Sequence, residues 1–544
     1  MGNHKTYVIV GGVAGGMSAA TRLRRLDESA TIIVIERGAD VSFANCGLPY
    51  HIGGIIPKRG ALELQTPDTL GRRFRIDVRV RTEATAIDRA NRVITTRDLT
   101  TGEENHITYD ALVLSPGGAA ARPDIPGAEK TLTLRDLSDM DAIITRLDGA
   151  SKAVVLGAGF IGLEVAENLR HRGIDVTVVQ SGPQIFTPLD PEFAWLLQAR
   201  MSAHGIAVRL NRQATEVTDT HVTLNDGTVL EADLVISAIG VRPDSALAAE
   251  LDTLPNGAII VDDQLRTSDP HIWAVGDAVA KATDNGLAMV PLAGLANRHG
   301  RLAADSIAGR RIDVNNAVGT AVIGLFGLTA AMTGQSETAL RRAGRAVRVI
   351  HTHPFDHATY YPGARQMTLK LMVDPETDAI LGAQGVGEEG VDKRIDVIAT
   401  AMAGGLTATD LADLELSYAP QFASAKDPVN MLGYVNENRA DGEQSVQWHE
   451  VADRIADGWV LVDVRTEDEH ETRAIEDSIL MNLESLRDRA HELDGRKVIV
   501  HCRVGQRGHT AAAILHAHGI EVANLDGGCL TYHQGMAAME AARA

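Results

Sequence analysis

Residues 6–26, TYVIVGGVAGGMSAATRLRRL, open on a β-branched apolar run, break at glycines and continue with apolar positions at helical spacing. Residues 151–173, SKAVVLGAGFIGLEVAENLRHRG, repeat the pattern. Each copy is followed by a second strand-like run, TIIVIERG at 31–38 and DVTVVQSG at 175–182. Strand, glycine turn, helix and strand form the opening of a dinucleotide-binding fold, written twice. Apolar runs ending in Gly-Pro clusters follow at YDALVLSPGG, ADLVISAIGVRP and IWAVGDAVA. From about Gly319 the pattern changes to strands and loops that carry HATYYPGA and LELSYAPQFASAKDP. The polar stretch NENRADGEQSVQ reads as a linker, and GWVLVDVRTEDEH to VIVHCRVGQRGHTAAAILHAHG is a further compact alternating unit. Alternating strands and helices predict parallel sheets in the first half and in the tail.

The glycine loops carry the first chemistry. The second copy is complete, with Gly157, Gly159 and Gly162. The first has Gly11 and Gly16 but Val13 in the middle position, with Gly12, Ala14 and Gly15 around it. Both aim helix N–H groups at a pyrophosphate. Glu36 ends the strand after the first loop, where an acidic side chain accepts from an adenosine ribose. The matching position of the second copy is Gln180, and Ser181-Gly182-Pro183-Gln184 brings no arginine. NADH and NADPH both stay open, with NADH favoured because the positive charge is missing.

Composition narrows the partners. Lys and Arg total 52 against 72 Asp and Glu, a formal net charge of −20, which argues against nucleic acid or an anionic membrane as the main partner. No run approaches the ~20 apolar residues of a membrane span, and no signal segment opens the chain. The three cysteines, Cys46, Cys502 and Cys529, are too few and scattered for a disulfide scaffold, so the expected compartment is the reducing cytoplasm. No metal site is expected.

Two dinucleotide folds in one chain, with AVGDA at 274–278 and SAIGVRPD at 237–244, resemble the flavoprotein disulfide reductase superfamily over about residues 5–438. The resemblance implies FAD at the first fold, with Asp277 on the ribityl chain, and NAD(P)H at the second, with Gly240 in the returning turn. Those reductases carry two cysteines one helical turn apart; here Gly47, Leu48, Pro49, Tyr50 and His51 follow Cys46, which excludes an internal disulfide. A single thiol beside a flavin can cycle through a sulfenic acid, form a mixed disulfide with a small thiol, or take sulfur from a persulfide. Cys46 precedes a helix start, GLPYHIGG, whose dipole is expected to lower its pKa.

The peroxidase branch carries a histidine in the first glycine turn, where this chain has Ala14. SFANCGLPY, HATYYPGA and YAPQFASAKDPVN together resemble coenzyme A disulfide reductases. That resemblance implies a homodimer in which Tyr361 and Tyr418 reach the partner subunit's reactive cysteine. It also implies coenzyme A contacts at Ser18, Arg22, Arg25, Ser42, Asn45 and Lys426. Independently, Arg22 and Arg25 lie one turn apart on the first helix and can clamp phosphates. Gln421 and Ala423 depart from the Pro and Gly frequent in that family.

In the tail, Cys502 ends a strand and a short loop leads into a helix, an arrangement that cradles an anion, with Arg503, Gly505 and Arg507 in the loop. Such a site stabilises a thiolate or persulfide. With LVDVRTEDEH before it and NLDGG after it, residues 448–538 resemble a rhodanese domain. A cysteine phosphatase would have its arginine one position beyond Arg507, where this chain has Gly508. Cys529 reads as packed, with a resolving thiol as the alternative.

The expected architecture is α/β: two Rossmann-like dinucleotide-binding domains, an α+β dimerisation domain and a C-terminal α/β rhodanese domain. The bounds are FAD-binding at 1–118 and 252–318, NAD(P)-binding at 119–251, dimerisation at 319–437, a flexible linker at 438–447 and rhodanese at 448–544. The expected activity is NAD(P)H-driven reduction of coenzyme A persulfide, polysulfide or coenzyme A disulfide through Cys46, with sulfur relayed by Cys502. The alternatives are an NADH oxidase or peroxidase, and a redox sensor that turns over no sulfur substrate.

Overall fold

Uninterrupted β-branched runs make strands that are buried on both faces, as parallel sheets covered by helices require. In the computed structural model, which describes residues 4–543, the first nucleotide fold is a five-stranded sheet in the order Ile272–Ala274, Ala111–Leu114, Thr6–Val10, Thr31–Ile35, Ile76–Arg79. Every pairing in it is parallel. Helix Ala14–Leu26 packs on helix Ala293–Ile307. The approach is close because both carry glycine there: a Cβ on Gly300 would stand 2.1 Å from the Gly15 carbonyl oxygen. In the second nucleotide fold, Lys152–Leu156 runs parallel between Asp175–Val179 and Leu234–Ser237, followed in sequence by helix Phe160–His171.

The chain divides into two compact units, Met1–Val179 with Gln213–Gly319, and Gln180–Arg212 with Thr320–Ala544. Residues 1–3 and 544 of the expected domain bounds lie outside the described residues. The division cuts through the expected NAD(P)-binding stretch 119–251, and polar anchoring explains why. Asp190, at the start of helix Pro191–Ala203, accepts from the backbone N–H groups of Glu337 and Thr338. The fully buried Lys370 ammonium lies 2.9 Å from Asp190, 2.6 Å from Glu192 and 2.8 Å from Glu337. These three carboxylates could hold a metal by geometry, but Lys370 already occupies their centre.

The second unit contains an antiparallel sheet in the order Ala321–Leu325, Leu328–Gly334, Ile380–Gly387, Thr368–Val373, Arg348–Thr352. Helices Val391–Ala403 and Pro428–Ala440 cover it through Ile395, Ile398, Val429 and Leu432. The tail adds a parallel sheet in the order Ser445–Val446, Glu521–Leu525, Lys497–His501, Trp459–Asp463, Ile479–Leu480. No helix among the described residues is long and apolar enough to cross a membrane.

The stretch read as a flexible linker is structured. Helix Pro428–Ala440 runs into it, with Asn436 completely buried and donating to Asp378 and Thr409. Arg439 donates to Asp526 at 3.3 Å, and Gln447 donates to the Val349 carbonyl and to Asp526, each at 3.2 Å. Polar composition there reflects hydrogen bonding to both neighbours rather than solvent.

Candidate functional site

The first glycine loop is shaped for close approach. Gly11 has φ +101°, and a Cβ there would meet the Ser115 carbonyl oxygen at 2.0 Å. A Cβ on Gly16 would stand 1.9 Å from the Gly11 oxygen, and one on Gly15 2.8 Å from Ser115 Oγ. Val13 takes the N-cap position of helix Ala14–Leu26 without a side-chain cap, at the end where the helix dipole favours an anion. Glu36 accepts from Gly12 N–H at 2.8 Å and Gly38 N–H at 2.7 Å, which fixes the carboxylate at the strand end. Asp277 has a buried Oδ1 with no hydrogen-bond partner among the described residues. Burial pushes its pKa up and Lys281 pulls it back. An orphaned buried acceptor beside an uncapped helix and a glycine cradle fits FAD.

In the second loop Gly157 has φ +98° and no room for a Cβ, which would meet the Ala238 oxygen at 2.4 Å. A Cβ on Gly162 would meet the Gly157 oxygen at 2.2 Å. Gly159 caps helix Phe160–His171 and faces open space, as does Gly240 at φ +132°. This loop fits a pyridine nucleotide pyrophosphate. Around Gln180, the backbone is laced to Arg209 and Arg212: Gln180 N–H donates to Arg209 O and Arg212 N–H to Gln180 O.

Cys46 lies in the 3-10 turn Asn45–Gly47 ahead of helix Leu48–Ile52. The residue is exposed, and its sulfur stands 3.9 Å from Asn45 Oδ1. The expected lowering of its pKa by the helix start is overturned: the thiol is pushed up, first by burial around the sulfur, then by the negative charges of Glu164 and Asp277. A helix of five residues has little dipole to oppose them. Glu164 is a residue that sequence reasoning missed. It stands on helix Phe160–His171, accepts from Tyr50 Oη at 3.1 Å and has its own pKa raised by burial. Its signal was visible only as an acid two positions after Gly162, with no hint that Tyr50 would reach it.

The expected coenzyme A contacts are distributed unevenly. Ser42 adopts φ +51° and donates its N–H to the Gly12 oxygen, so the segment before Cys46 is bound to the flavin loop. Ser18 donates to Asn297 at 2.7 Å. Arg22 is held by Asp305 at 2.7 Å, so its charge is partly neutralised, whereas Arg25, Asn45 and Lys426 are exposed. Between Arg22 and Arg25, Arg24 is buried and donates to the carbonyls of Phe74, Asp27, Glu28, Ala30 and Arg75, a structural role.

In the second unit Tyr418 Oη pairs with Tyr360 Oη at 2.8 Å, while Tyr361 sets its ring edge-on to His357 at 5.8 Å. Adjacent tyrosines on an irregular loop do not declare from sequence which hydroxyl meets Tyr418. Ala358 N–H donates to Pro420 O, joining the two tyrosine loops. Around the departures Gln421 and Ala423, the backbone makes a turn closed by Phe422 N–H and Ala423 N–H on the Ala419 oxygen.

The tail site is built differently. Cys502 is 1% exposed, and its carbonyl accepts from Cys529 N–H at 2.8 Å. Gly505, at φ +91°, caps helix Gln506–Ala517 without a side-chain cap. Arg507 is gripped by Glu469 through two bonds of 2.7 and 2.6 Å, and its pKa is raised first by Glu469 and then through Cys502. Glu469, in the quoted TEDEH, was not singled out by sequence; Arg507 holds its carboxyl down at about 2. Arg503 donates to Gln366 at 3.3 Å. Cys529 packs with Val446, Trp459 and Ile499, and burial pushes its thiol up, in keeping with a packed residue.

Residues 5–299 match the family of pyridine nucleotide-disulphide oxidoreductases, residues 320–428 that family's dimerisation domain, and residues 447–534 the rhodanese-like domain. The chain belongs to the pyridine nucleotide-disulphide oxidoreductases, flavoproteins that use FAD and NAD(P)H, and carries a rhodanese domain. Coenzyme A disulfide reductase of Staphylococcus haemolyticus is 35% identical over 437 residues, 79% of this chain and 99% of that protein. Reduced CoADR-RHD of Bacillus anthracis is 42% identical with a TM-score of 0.97, over 98% of this chain and 99% of that one. The NAD-dependent persulfide reductase of A. fulgidus is 35% identical with a TM-score of 0.91, over 97% of this chain and 100% of that one.

Proposed function

We propose that this chain reduces coenzyme A persulfide, polysulfide or coenzyme A disulfide with electrons from NAD(P)H, using Cys46 as its single redox sulfur. One observation carries the reading. The Cys46 thiol feels both Glu164, on the helix of the second nucleotide loop, and Asp277, at the flavin motif. The lone sulfur is within electrostatic reach of one carboxylate from each nucleotide fold, and no second cysteine lies near it in sequence. FAD would be held by the first glycine loop and Asp277, and would supply the two-electron relay between NAD(P)H and sulfur.

The chain's own residues do the rest. Cys46 thiolate attacks the sulfur bonded to coenzyme A in a persulfide, forming a mixed disulfide and releasing hydrosulfide. Return of two electrons then cleaves that disulfide to coenzyme A thiolate and Cys46 thiolate. Exposed Arg25 and Lys426 offer charge to the coenzyme's phosphates, and Ser42 and Asn45 line the approach to sulfur. The chain works as a homodimer. Tyr361 and Tyr418 serve the second copy's Cys46, and Tyr360 holds the Tyr418 hydroxyl. Cys502, with the Arg507 guanidinium against it, collects sulfane sulfur from a donor as a persulfide and passes it to coenzyme A or to Cys46. The test is anaerobic NAD(P)H oxidation with coenzyme A persulfide, following sulfide. Hydrogen peroxide or water formation from oxygen, with no sulfide released from a persulfide, would replace this reading with an oxidase.

A further inference from the structure

We infer that Lys281 is a positioning residue for the flavin: its buried ammonium pins the Gly276–Val279 turn so that Asp277 faces the ribityl chain, and it supplies the positive charge there. Lys281 stands on strand Ala280–Thr283, directly after the AVGDA turn, and is 3% exposed. Its Nζ donates to the Gly276 carbonyl at 2.8 Å and to the Val279 carbonyl at 3.4 Å. Those two carbonyls flank Asp277, so one side chain fixes both ends of the turn that presents the orphaned carboxylate oxygen.

The charges around Lys281 set its behaviour. Asp277 attracts it. His299, on helix Ala293–Ile307, is 2% exposed, and neither ring nitrogen has a partner among the described residues. Burial, then Lys281 and Arg298, bring His299 down to about 4, so it is neutral at physiological pH. A buried ammonium with two neutral carbonyls as its bonded partners is costly unless its charge has a use. An anionic pyrophosphate and an ionised Asp277 both profit from it. Burial brings Lys281 down to about 8, with Asp277 opposing. FAD affinity is therefore full below that pH and falls as pH rises through it.

This inference rests on the flavin reading of the first glycine loop and is independent of the sulfur substrate. Its test is FAD binding to apoprotein, by fluorescence, from about pH 6.5 to about 9.5. A Cys46→Ser background removes from the titration the thiol that feels the Asp277 charge. The expected result is a dissociation constant that rises above about pH 8. Lys281→Met is expected to weaken binding about tenfold, the scale of a hydrogen bond to a charged group, and to flatten the profile. If Lys281 acts through Asp277, the Asp277→Asn, Lys281→Met pair binds no more weakly than Asp277→Asn alone. Affinity of Lys281→Met within about twofold of its parent with the same pH profile overturns the proposal, as does full additivity of the two changes. Should Lys281→Met not fold, the parent profile decides, and a flat one contradicts the role.

Discussion

The two cysteines given roles in the proposed function stand in different surroundings. Cys46 is exposed and feels two carboxylates, and its thiol is pushed up. Cys502 is enclosed, with Arg507 against it and Arg503 next in the chain. The carboxylates near Cys46 disfavour a standing anion there, whereas a guanidinium lies against Cys502. In the proposed function the difference divides the work: Cys502 carries sulfur beside Arg507, whereas Cys46 takes electrons from the neighbouring cofactor sites. Their frames differ too. The Cys46 turn is bound to the flavin loop through Ser42 and Gly12. The turn after Asp526 closes on the Cys502 loop, and Asp526 is tied to His351 at 2.7 Å.

The comparison breaks first at Cys46. Cys46→Ser is expected to abolish pyridine-nucleotide-driven sulfide release, by at least about a thousandfold, as loss of a nucleophile does. Thiosulfate:cyanide sulfur transfer by Cys502 should be untouched, and parallel loss of both activities would show that the sites are not separate. Next, Arg507→Ala should slow Cys502 sulfur transfer by about a hundredfold, the scale for removing one anion-stabilising donor, while coenzyme A disulfide reduction persists. Equal loss in both assays would sink the contrast.

The frame around Cys502 gives a stability test. His351 is raised to about 9: burial opposes its charge, but the hydrogen bonds to Asp526 and Glu192 outweigh it. Its folded pKa lies above the unfolded value of about 6.5, so the stabilisation is complete below that value and is lost as pH rises through about 9. Melting of the rhodanese portion should fall across that window. Asp526→Ala, which leaves His351 and Arg439 with a lost partner in the interior, should cost about 3–5 kcal/mol and flatten the profile. The smallest effect is at Glu164. Glu164→Gln removes a negative charge from beside Cys46, so the pH midpoint of Cys46 alkylation should shift downward. An unmoved or upward midpoint would mean that Glu164 does not face the thiol.

What the chain's pattern revealed in advance was local. Glycine loops were legible because Gly11 and Gly157 need left-handed backbone and because neighbouring oxygens exclude a Cβ. The parallel sheets were legible from their apolar runs, and the tail from Cys502 before a Gly-capped helix. What stayed hidden depends on partners far along the chain. Glu164 meets Tyr50 across 114 residues, Arg22 meets Asp305 across 283, and Asp526 meets His351 across 175. Tyr360 and Tyr361 are adjacent and alike, so only geometry separates the one that bonds Tyr418. The stretch 438–447 looked like a linker because its polar groups gave no sign that Arg439 and Gln447 were already taken.

The most direct test of the central claim is stoichiometry. Reduced nicotinamide is titrated anaerobically against coenzyme A persulfide with the purified protein, and sulfide, coenzyme A and the mass of the Cys46 peptide are measured. One sulfide and one coenzyme A per NAD(P)H are expected, with a coenzyme A adduct on Cys46 when electrons are withheld. Oxidation of the nicotinamide without sulfide, or sulfide release that survives Cys46→Ser, would contradict it.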